Sequence, residues 1–206
     1  MNIIEPGVEA YVERWTSPHE PLLAELSAET ADTLGMTQML TGPVAGRFLE
    51  LVVFAAQPHR VLEIGTFSGH SALAMAAALP EDGRIDACEL DPALAAFAQR
   101  YFDRSPHGSK ITLHVGPALA TVAQLEGEFD FVFIDADKPG YVDYYEAVLP
   151  RLSAHGVIVA DNTLASGDVV DGDPPIKRFN EHVANDPRSV QVILSIRDGM
   201  TMIRRA

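Results

Sequence analysis

Four residues in the second half of the chain have side chains that could work as a set: Asp135, Lys138, Asp161 and Asn162. Asp135 follows the apolar run Phe131-Val132-Phe133-Ile134, and Asp161 follows Val157-Ile158-Val159-Ala160, so each acid ends a predicted strand. In an open α/β sheet, ligands bind beyond the carboxyl ends of the strands, and acids ending successive strands become neighbours there. Two carboxylates and the Asn162 amide oxygen form an all-oxygen donor set. Such a set suits a hard divalent cation such as Mg²⁺, which keeps its remaining positions for water and substrate; Mn²⁺ or Ca²⁺ would fit the same donors. The plain alternative is that each acid caps the helix after its strand. Lys138 lies three residues after Asp135 and reaches the same cleft, where it could act as a base or hold an anionic oxygen, or simply be a solvated loop lysine. Asp137 reads as a cap, and Tyr141, Tyr144 and Tyr145 read as packing residues. The seven histidines show no spacing that suggests zinc, and His70 reads as structural.

A second constellation lies upstream, in Val61-Leu62-Glu63-Ile64-Gly65-Thr66-Phe67-Ser68-Gly69-His70-Ser71. An apolar run with an acid, then two glycines, then an alanine-rich stretch reads as strand, tight turn and helix, the first unit of a nucleotide-binding sheet. Glycine serves where the backbone bends sharply or meets a ligand, and the helix N-terminus beyond offers free N–H groups. The dinucleotide fingerprint has a middle glycine; here Phe67 follows Gly65 and Thr66, and Glu63 would repel a pyrophosphate. Glu63 suits the cationic amino-acid end of S-adenosylmethionine. Glu89 ends the next apolar run about 20 residues after the glycines, where a ribose-binding acid belongs. Together these point to an adenosine-containing cofactor.

These sites need a frame. Helices are expected near Gly7–Trp15, within Pro21–Leu34 and over Pro43–Ala56, where Phe48, Leu49, Val52 and Val53 recur at helical spacing. From His59 onward, strands alternate with helices: Arg60–Ile64, Ile85–Glu89, Ile111–Val115, Phe129–Asp135 and Gly156–Asp161, separated by Ser71–Leu79, Pro92–Phe102, Ala118–Leu125 and Tyr141–Leu152. Such alternation implies a parallel sheet with helices on both faces. Val190–Ile196 and Met200–Arg204 flank Arg197-Asp198-Gly199, a hairpin signal, so an antiparallel final strand should close the sheet. The expected fold is a Rossmann-like, doubly wound, mostly parallel seven-stranded α/β sheet with an antiparallel C-terminal strand. Residues 1–206 should form one domain, with helices over 1–57 and the core over 58–206.

Composition narrows the partners. The chain has 206 residues, 47% of them hydrophobic, enough for a full core. A formal charge of −14 argues against nucleic acid, whose phosphates demand clustered Lys and Arg; Lys177-Arg178 and Arg204-Arg205 are the only adjacent basic pairs. Cys88 is the sole cysteine and reads as a small core residue, so no intramolecular disulfide can form. No signal peptide or membrane-length apolar stretch is expected, and a reduced, cytoplasmic enzyme is the default. A nicotinamide-dependent oxidoreductase and a non-catalytic cofactor-binding protein are the rival readings.

The residues together resemble the cation-dependent class I O-methyltransferases, including catechol and caffeoyl-CoA O-methyltransferases. The likeness runs from about Met36 to the C-terminus: the Val61–Ser71 turn, Asp135-Ala136-Asp137-Lys138, Asp161-Asn162, and Asp198-Gly199-Met200 in the last hairpin. It implies S-adenosylmethionine contacts at Thr41, Glu63, Gly65, Thr66, Ser71, Glu89, Ala118 and Asp135. It also implies metal ligation by Asp135, Asp161 and Asn162, catalysis by Lys138 with Asp135, and a homodimer. Val8, Val12 and Trp15 in the first helix are candidate apolar contacts for a second copy. The chain departs from the family at Leu40, where many members carry a polar residue. It departs again at Leu164 and the short Ala165–Pro175 stretch, where many carry a longer substrate loop. The expected reaction is methylation of one hydroxyl of a small catechol-like aromatic; an acyl-CoA-linked phenolic is the alternative acceptor.

Overall fold

The computed structural model describes residues 4–36 and 39–206. Three helices, α1 (Pro6–Trp15), α2 (Pro21–Glu29) and α3 (Gly42–Ala56), precede the sheet. Then follow β1 (Arg60–Ile64), α4 (His70–Ala78), β2 (Arg84–Glu89), α5 (Pro92–Arg104), β3 (Ile111–Val115), α6 (Ala118–Gln124), β4 (Phe129–Ile134), α7 (Tyr141–Val148), β5 (Leu152–Asp161), α8 (Pro175–Ala184), β6 (Ser189–Leu194) and β7 (Met200–Arg205). The sheet has seven strands in the order β3-β2-β1-β4-β5-β7-β6. The order reverses at β1, whose two parallel neighbours are β2 and β4, and this is the switch point where open α/β sheets bind ligands.

Burial explains the composition of the strands. β4 lies in the sheet's interior with helices on both faces, and Phe129, Phe131, Val132, Phe133 and Ile134 are all buried. A strand covered on both sides must be apolar at every position, not at alternate ones. The edge strands β3 and β6 instead keep exposed residues, Val190 and Val192 among them.

Three expectations need correction. First, α8 carries no glycine-bounded signal in the sequence, and no helix was expected there; its apolar side buries Ile176, Phe179 and Val183. Second, the antiparallel strand does not close the sheet. β7 pairs antiparallel with both β5 and β6, so it lies between them and β6 forms the edge. The α8 crossover carries the chain past one strand position, which the hairpin return then fills. Third, the helix expected to run from Tyr141 to Leu152 ends at Val148, because a 3₁₀ turn over Leu149–Arg151, containing Pro150, breaks it. Leu152 already belongs to β5, four residues before the expected start, with an irregular register opposite Phe129 and Phe131.

The N-terminal helices differ in how they pack. α2 and α3 bury Leu23, Leu26, Leu49 and Val53 against the core. No residue of α1 is buried; Val8 is 51% and Trp15 68% exposed. Among the described residues, no helix is long and apolar enough to cross a membrane.

Candidate active site

A cavity of about 860 Å³ opens at the carboxyl ends of β1, β2, β4 and β5, the size range of sites that enclose a small-molecule ligand. Gly65, Glu89, Ala118, Asp135, Lys138, Asp161 and Asn162 line it. A small recess beside it is lined by Thr41, Gly65, Thr66, His70, Ser71 and Asp135, and Met39, Leu40, Gly65, Phe67 and Asp135 form the wall common to both. Ten of the eleven candidate site residues read from the sequence, Ser71 in the recess among them, therefore meet at one end of the sheet. The exception is Glu63, which lines neither space.

Glu63 is fully buried beneath the turn, where its carboxylate accepts hydrogen bonds from Thr66 Oγ1 (2.9 Å) and Ser71 Oγ (2.6 Å). Burial pushes its pKa up to about 7, against the opposing effect of the two hydroxyls. Here it fixes the hydroxyls that face the recess, so its action on a ligand would run through them.

The turn is built by backbone geometry. Gly65 and Thr66 donate their N–H groups to the Cys88 carbonyl at 3.0 and 3.1 Å, tying the turn to β2. Gly65 has φ +94° and Phe67 φ +50°. A left-handed φ is uncommon for an aromatic residue, and it aims the Phe67 N–H at Glu89 Oε2, 2.7 Å away. Asp91 N–H reaches the other Glu89 oxygen at 2.9 Å. Two amides thus fix the Glu89 carboxylate at the cavity wall with lone pairs to spare. Cys88 is buried in β2, a core residue as expected.

The oxygen set lies on the other side. β4 and β5 run parallel with Ile134 opposite Ala160, which brings Asp135 and Asp161 side by side. Asn162 adopts φ +56°, a conformation asparagine tolerates better than most residues, and its N–H donates to Asp161 Oδ1 at 2.8 Å. Lys138 Nζ sits among these groups, donating to Asp135 Oδ1 (3.1 Å), Asn162 Oδ1 (3.0 Å) and Tyr141 Oη (2.5 Å). Asp161 Oδ2 is buried and has no hydrogen-bond partner. Its burial, then the nearby Asp135 carboxylate, raises the Asp161 pKa, while Arg197 and Lys138 oppose the rise. A buried carboxylate oxygen without a donor is costly, and a cation held between Asp135 and Asp161 would relieve both the orphaned oxygen and the repulsion. The donors present therefore fit a divalent metal ion.

Elsewhere among the described residues, Glu146, His182 and Asp186 bring ligand-type atoms within 4.8 Å of one another. There Arg188 Nη2 already lies 2.6 Å from both Glu146 Oε1 and Asp186 Oδ2, so a guanidinium neutralises that cluster.

Several residues at the site were missed in the sequence. Asp137 does act as a cap, accepting from Gly140 N–H at 3.2 Å, and Tyr144, which donates to it, lines the cavity instead of merely packing. Tyr145 is a buried packing residue as expected, whereas Tyr141, also buried, holds Lys138 through its hydroxyl and donates to the Asp161 carbonyl at 3.0 Å. His70 is buried in the recess wall; burial pushes its pKa down to about 3, so the ring is neutral, and its Nδ1 has no partner. Arg197, in the β6–β7 hairpin, reaches the cavity and donates from Nη1 to the Thr41 carbonyl. Its φ of +50° costs on the order of 1–3 kcal/mol for a non-glycine residue. A turn signal marks the hairpin, but nothing local says that its arginine meets Thr41, 156 residues earlier in the chain.

The site's geometry agrees with what the chain is similar to. A sequence profile described as O-methyltransferase matches residues 13–206. A catechol O-methyltransferase of Niastella koreensis is 38% identical over 175 residues, covering 82% of this chain and 78% of its own length. Caffeoyl-CoA O-methyltransferase 1 of Eucalyptus globulus is 34% identical over 184 residues, covering 81% and 75%. Among solved structures, a SAH-bound methyltransferase of Podospora anserina superposes with a TM-score of 0.91 at 29% identity, covering all of both chains. An O-methyltransferase from Bacillus cereus in complex with SAH gives 0.88 at 28% identity, covering 97% of each. SAH is what S-adenosylmethionine becomes on losing its methyl group, and the nicotinamide reading lapses with this match. A Rossmann-like sheet with its cavity at the switch point and a sequence matched from residue 13 to 206 place this chain in the class I O-methyltransferase family, as an S-adenosylmethionine-dependent enzyme.

Proposed function

We propose that the enzyme methylates one hydroxyl of a small aromatic carrying two adjacent hydroxyls, in a site that uses a divalent metal ion. The buried Asp161 Oδ2, which accepts no hydrogen bond and lies beside the Asp135 carboxylate, carries this reading, since a cation between the two carboxylates would satisfy both. Asp135, Asp161 and Asn162 are the residues that would hold the ion. A divalent ion there supplies a Lewis acid that orients two neighbouring oxygens and lowers the pKa of one of them. The cofactor brings an already activated methyl group, so the chain's main task is placement. Lys138, anchored at Asp135, Asn162 and Tyr141, serves as the base at the accepting hydroxyl. Thr41, Gly65, Thr66, Ser71, Glu89, Ala118 and Asp135 hold the cofactor across the recess and cavity, with Glu63 acting through Thr66 and Ser71.

The choice of a free catechol over an acyl-CoA ester rests on charge. The loop after Asn162 carries Asp168, Asp171 and Asp173 against Lys177, whose Nζ donates to the Gly172 carbonyl, and the chain as a whole bears a formal charge of −14, a poor surface for a ligand with several phosphates. A turnover screen across catechols, hydroxyanthranilates, flavonoids and acyl-CoA esters, each with and without EDTA, tests the proposal. Turnover of catechols that EDTA abolishes and Mg²⁺ restores supports it. Activity on acyl-CoA esters alone, or activity indifferent to EDTA, removes the substrate or the metal half respectively.

A homodimer is proposed as well. Val8, Tyr11, Val12 and Trp15 on α1, with Leu51 and Phe54 on α3, leave apolar side chains exposed on neighbouring helices, and a second copy would cover them. A single buried cysteine, with no disulfide framework, and the acidic charge are in keeping with a cytoplasmic enzyme with no nucleic-acid partner.

A further inference from the structure

We propose that Arg197 is a carboxylate-binding residue at the junction of the cavity and the recess. It has the chemistry for this: among the described residues the Thr41 carbonyl is the one hydrogen-bond acceptor it engages, and its charge also acts on Asp161 across the cavity without a hydrogen bond. Arg197 lines the cavity, is half-buried, and donates to the Thr41 carbonyl, while the Arg197 Cζ lies 4.0 Å from where a Gly42 β-carbon would stand. The guanidinium therefore spans from the β6–β7 hairpin to the turn that opens α3. One of its five N–H donors is used there, and among the described residues it forms no ion pair with a carboxylate. Its sequence neighbour Asp198 also lines the cavity but is tied to the next loop, accepting from Ser166 N–H at 2.5 Å on Oδ1 and, through its carbonyl, from Leu164 N–H at 2.9 Å. The other cation lining the cavity, Lys138, is engaged by Asp135 and Asn162. The left-handed backbone at Arg197 would suit glycine better, so the side chain is kept at a conformational cost. A planar guanidinium with free donors at the mouth of a ligand cavity matches a carboxylate in geometry and charge.

Two carboxylates could fill that place: the methionine carboxylate of the cofactor, reaching in from the recess side, or an acidic group on the aromatic acceptor. The second rests on the catechol reading given above. Calorimetric titration of Arg197→Gly, Arg197→Gln and Arg197→Lys with S-adenosylmethionine and with its decarboxylated analogue tests the first source. Steady-state KM values for catechol and for 3,4-dihydroxybenzoate, at saturating cofactor, test the second. Arg197→Gly relieves the positive φ, so it should fold at least as well as the parent, and thermal melts check this.

A charge-assisted contact is worth about tenfold or more in affinity. If the cofactor is the partner, Arg197→Gly and Arg197→Gln weaken S-adenosylmethionine by that factor and leave the decarboxylated analogue unchanged, with Arg197→Lys intermediate. If the acceptor is the partner, cofactor affinity stays put and the KM for 3,4-dihydroxybenzoate rises about tenfold, while that for catechol does not. Cofactor affinity and the ratio of the two KM values both unmoved in folded variants overturn the proposal. A parent enzyme that methylates neither ring overturns the catechol reading by itself, and Arg197 is then judged on the cofactor titrations alone.

Discussion

A β-carbon placed on Gly65 would lie 2.0 Å from the carbonyl oxygen of Asp135. The turn proposed to hold the cofactor and the strand end proposed to hold the metal thus touch through bare backbone, and Asp135 N–H completes the junction by donating to the Ile64 carbonyl at 2.8 Å. Methyl donor and acceptor can be held close only if nothing larger than a hydrogen atom separates the two strand ends.

Gly65→Ala should therefore harm both functions at once. The methyl group clashes with β4 backbone, and φ +94° is a conformation alanine adopts poorly. A loss on the order of 1–3 kcal/mol in stability is expected, with weaker cofactor binding. Unchanged melting temperature and unchanged calorimetric affinity would show that the two strand ends can part without consequence.

Glu89 offers a narrower test. Its carboxylate is held by Phe67 and Asp91 N–H groups and faces the cavity, placed to accept from the two ribose hydroxyls. Glu89→Ala should weaken S-adenosylmethionine binding by about 1.5–3 kcal/mol, the worth of hydrogen bonds to a charged group. Full affinity in this variant would rule out the ribose role.

Asp161→Ala should abolish turnover yet leave S-adenosylmethionine affinity nearly intact, since Asp161 lines the cavity beyond the cofactor turn and the recess. The acceptor side follows from the same donor set. A mono-phenol offers one oxygen where a catechol offers two, and the loss of fixed orientation should slow it on the order of a hundredfold. Equal rates for catechol and its mono-hydroxy analogue would overturn the two-oxygen mechanism.

Glu63 makes the ligand-free protein sensitive to pH. Its folded pKa of about 7 exceeds the ordinary 4.5, so between these values the unfolded chain is ionised while the folded one keeps its proton. Stability contributed by this group is therefore fully present below about 4.5, falls as pH rises to about 7, and stays low above that, by on the order of 3 kcal/mol at most. Denaturant melts of the parent and Glu63→Gln across pH 4.5–8 isolate the effect. The parent should lose stability relative to the variant as pH rises, and a constant difference would show that Glu63 ionises normally.

Self-association can be read directly. Light scattering at micromolar concentration should report twice the chain mass of 22.3 kDa, and Trp15→Asp with Phe54→Asp should shift it to the monomer. A monomeric parent would leave α1 without the partner proposed for it.

The chain's own order of residues determined most of the frame. β1 to β5 and the helices between them are legible because a strand covered on both faces is apolar along its buried length, as Phe131–Ile134 is, and because Gly65 and Gly69 bend the chain where few other residues can. Asp135, Asp161 and Glu89 were legible for the same reason: an acid at the end of an apolar strand has one place to go. Tertiary structure alone decided the rest. Glu63 reads as a ligand contact until the fold buries it under Thr66 and Ser71. β7 enters between β5 and β6 because its partners are chosen by register and by the α8 crossover, neither of which is a local property. Arg197 meets Thr41 across 156 residues, an encounter set by strand order and invisible to any window of sequence.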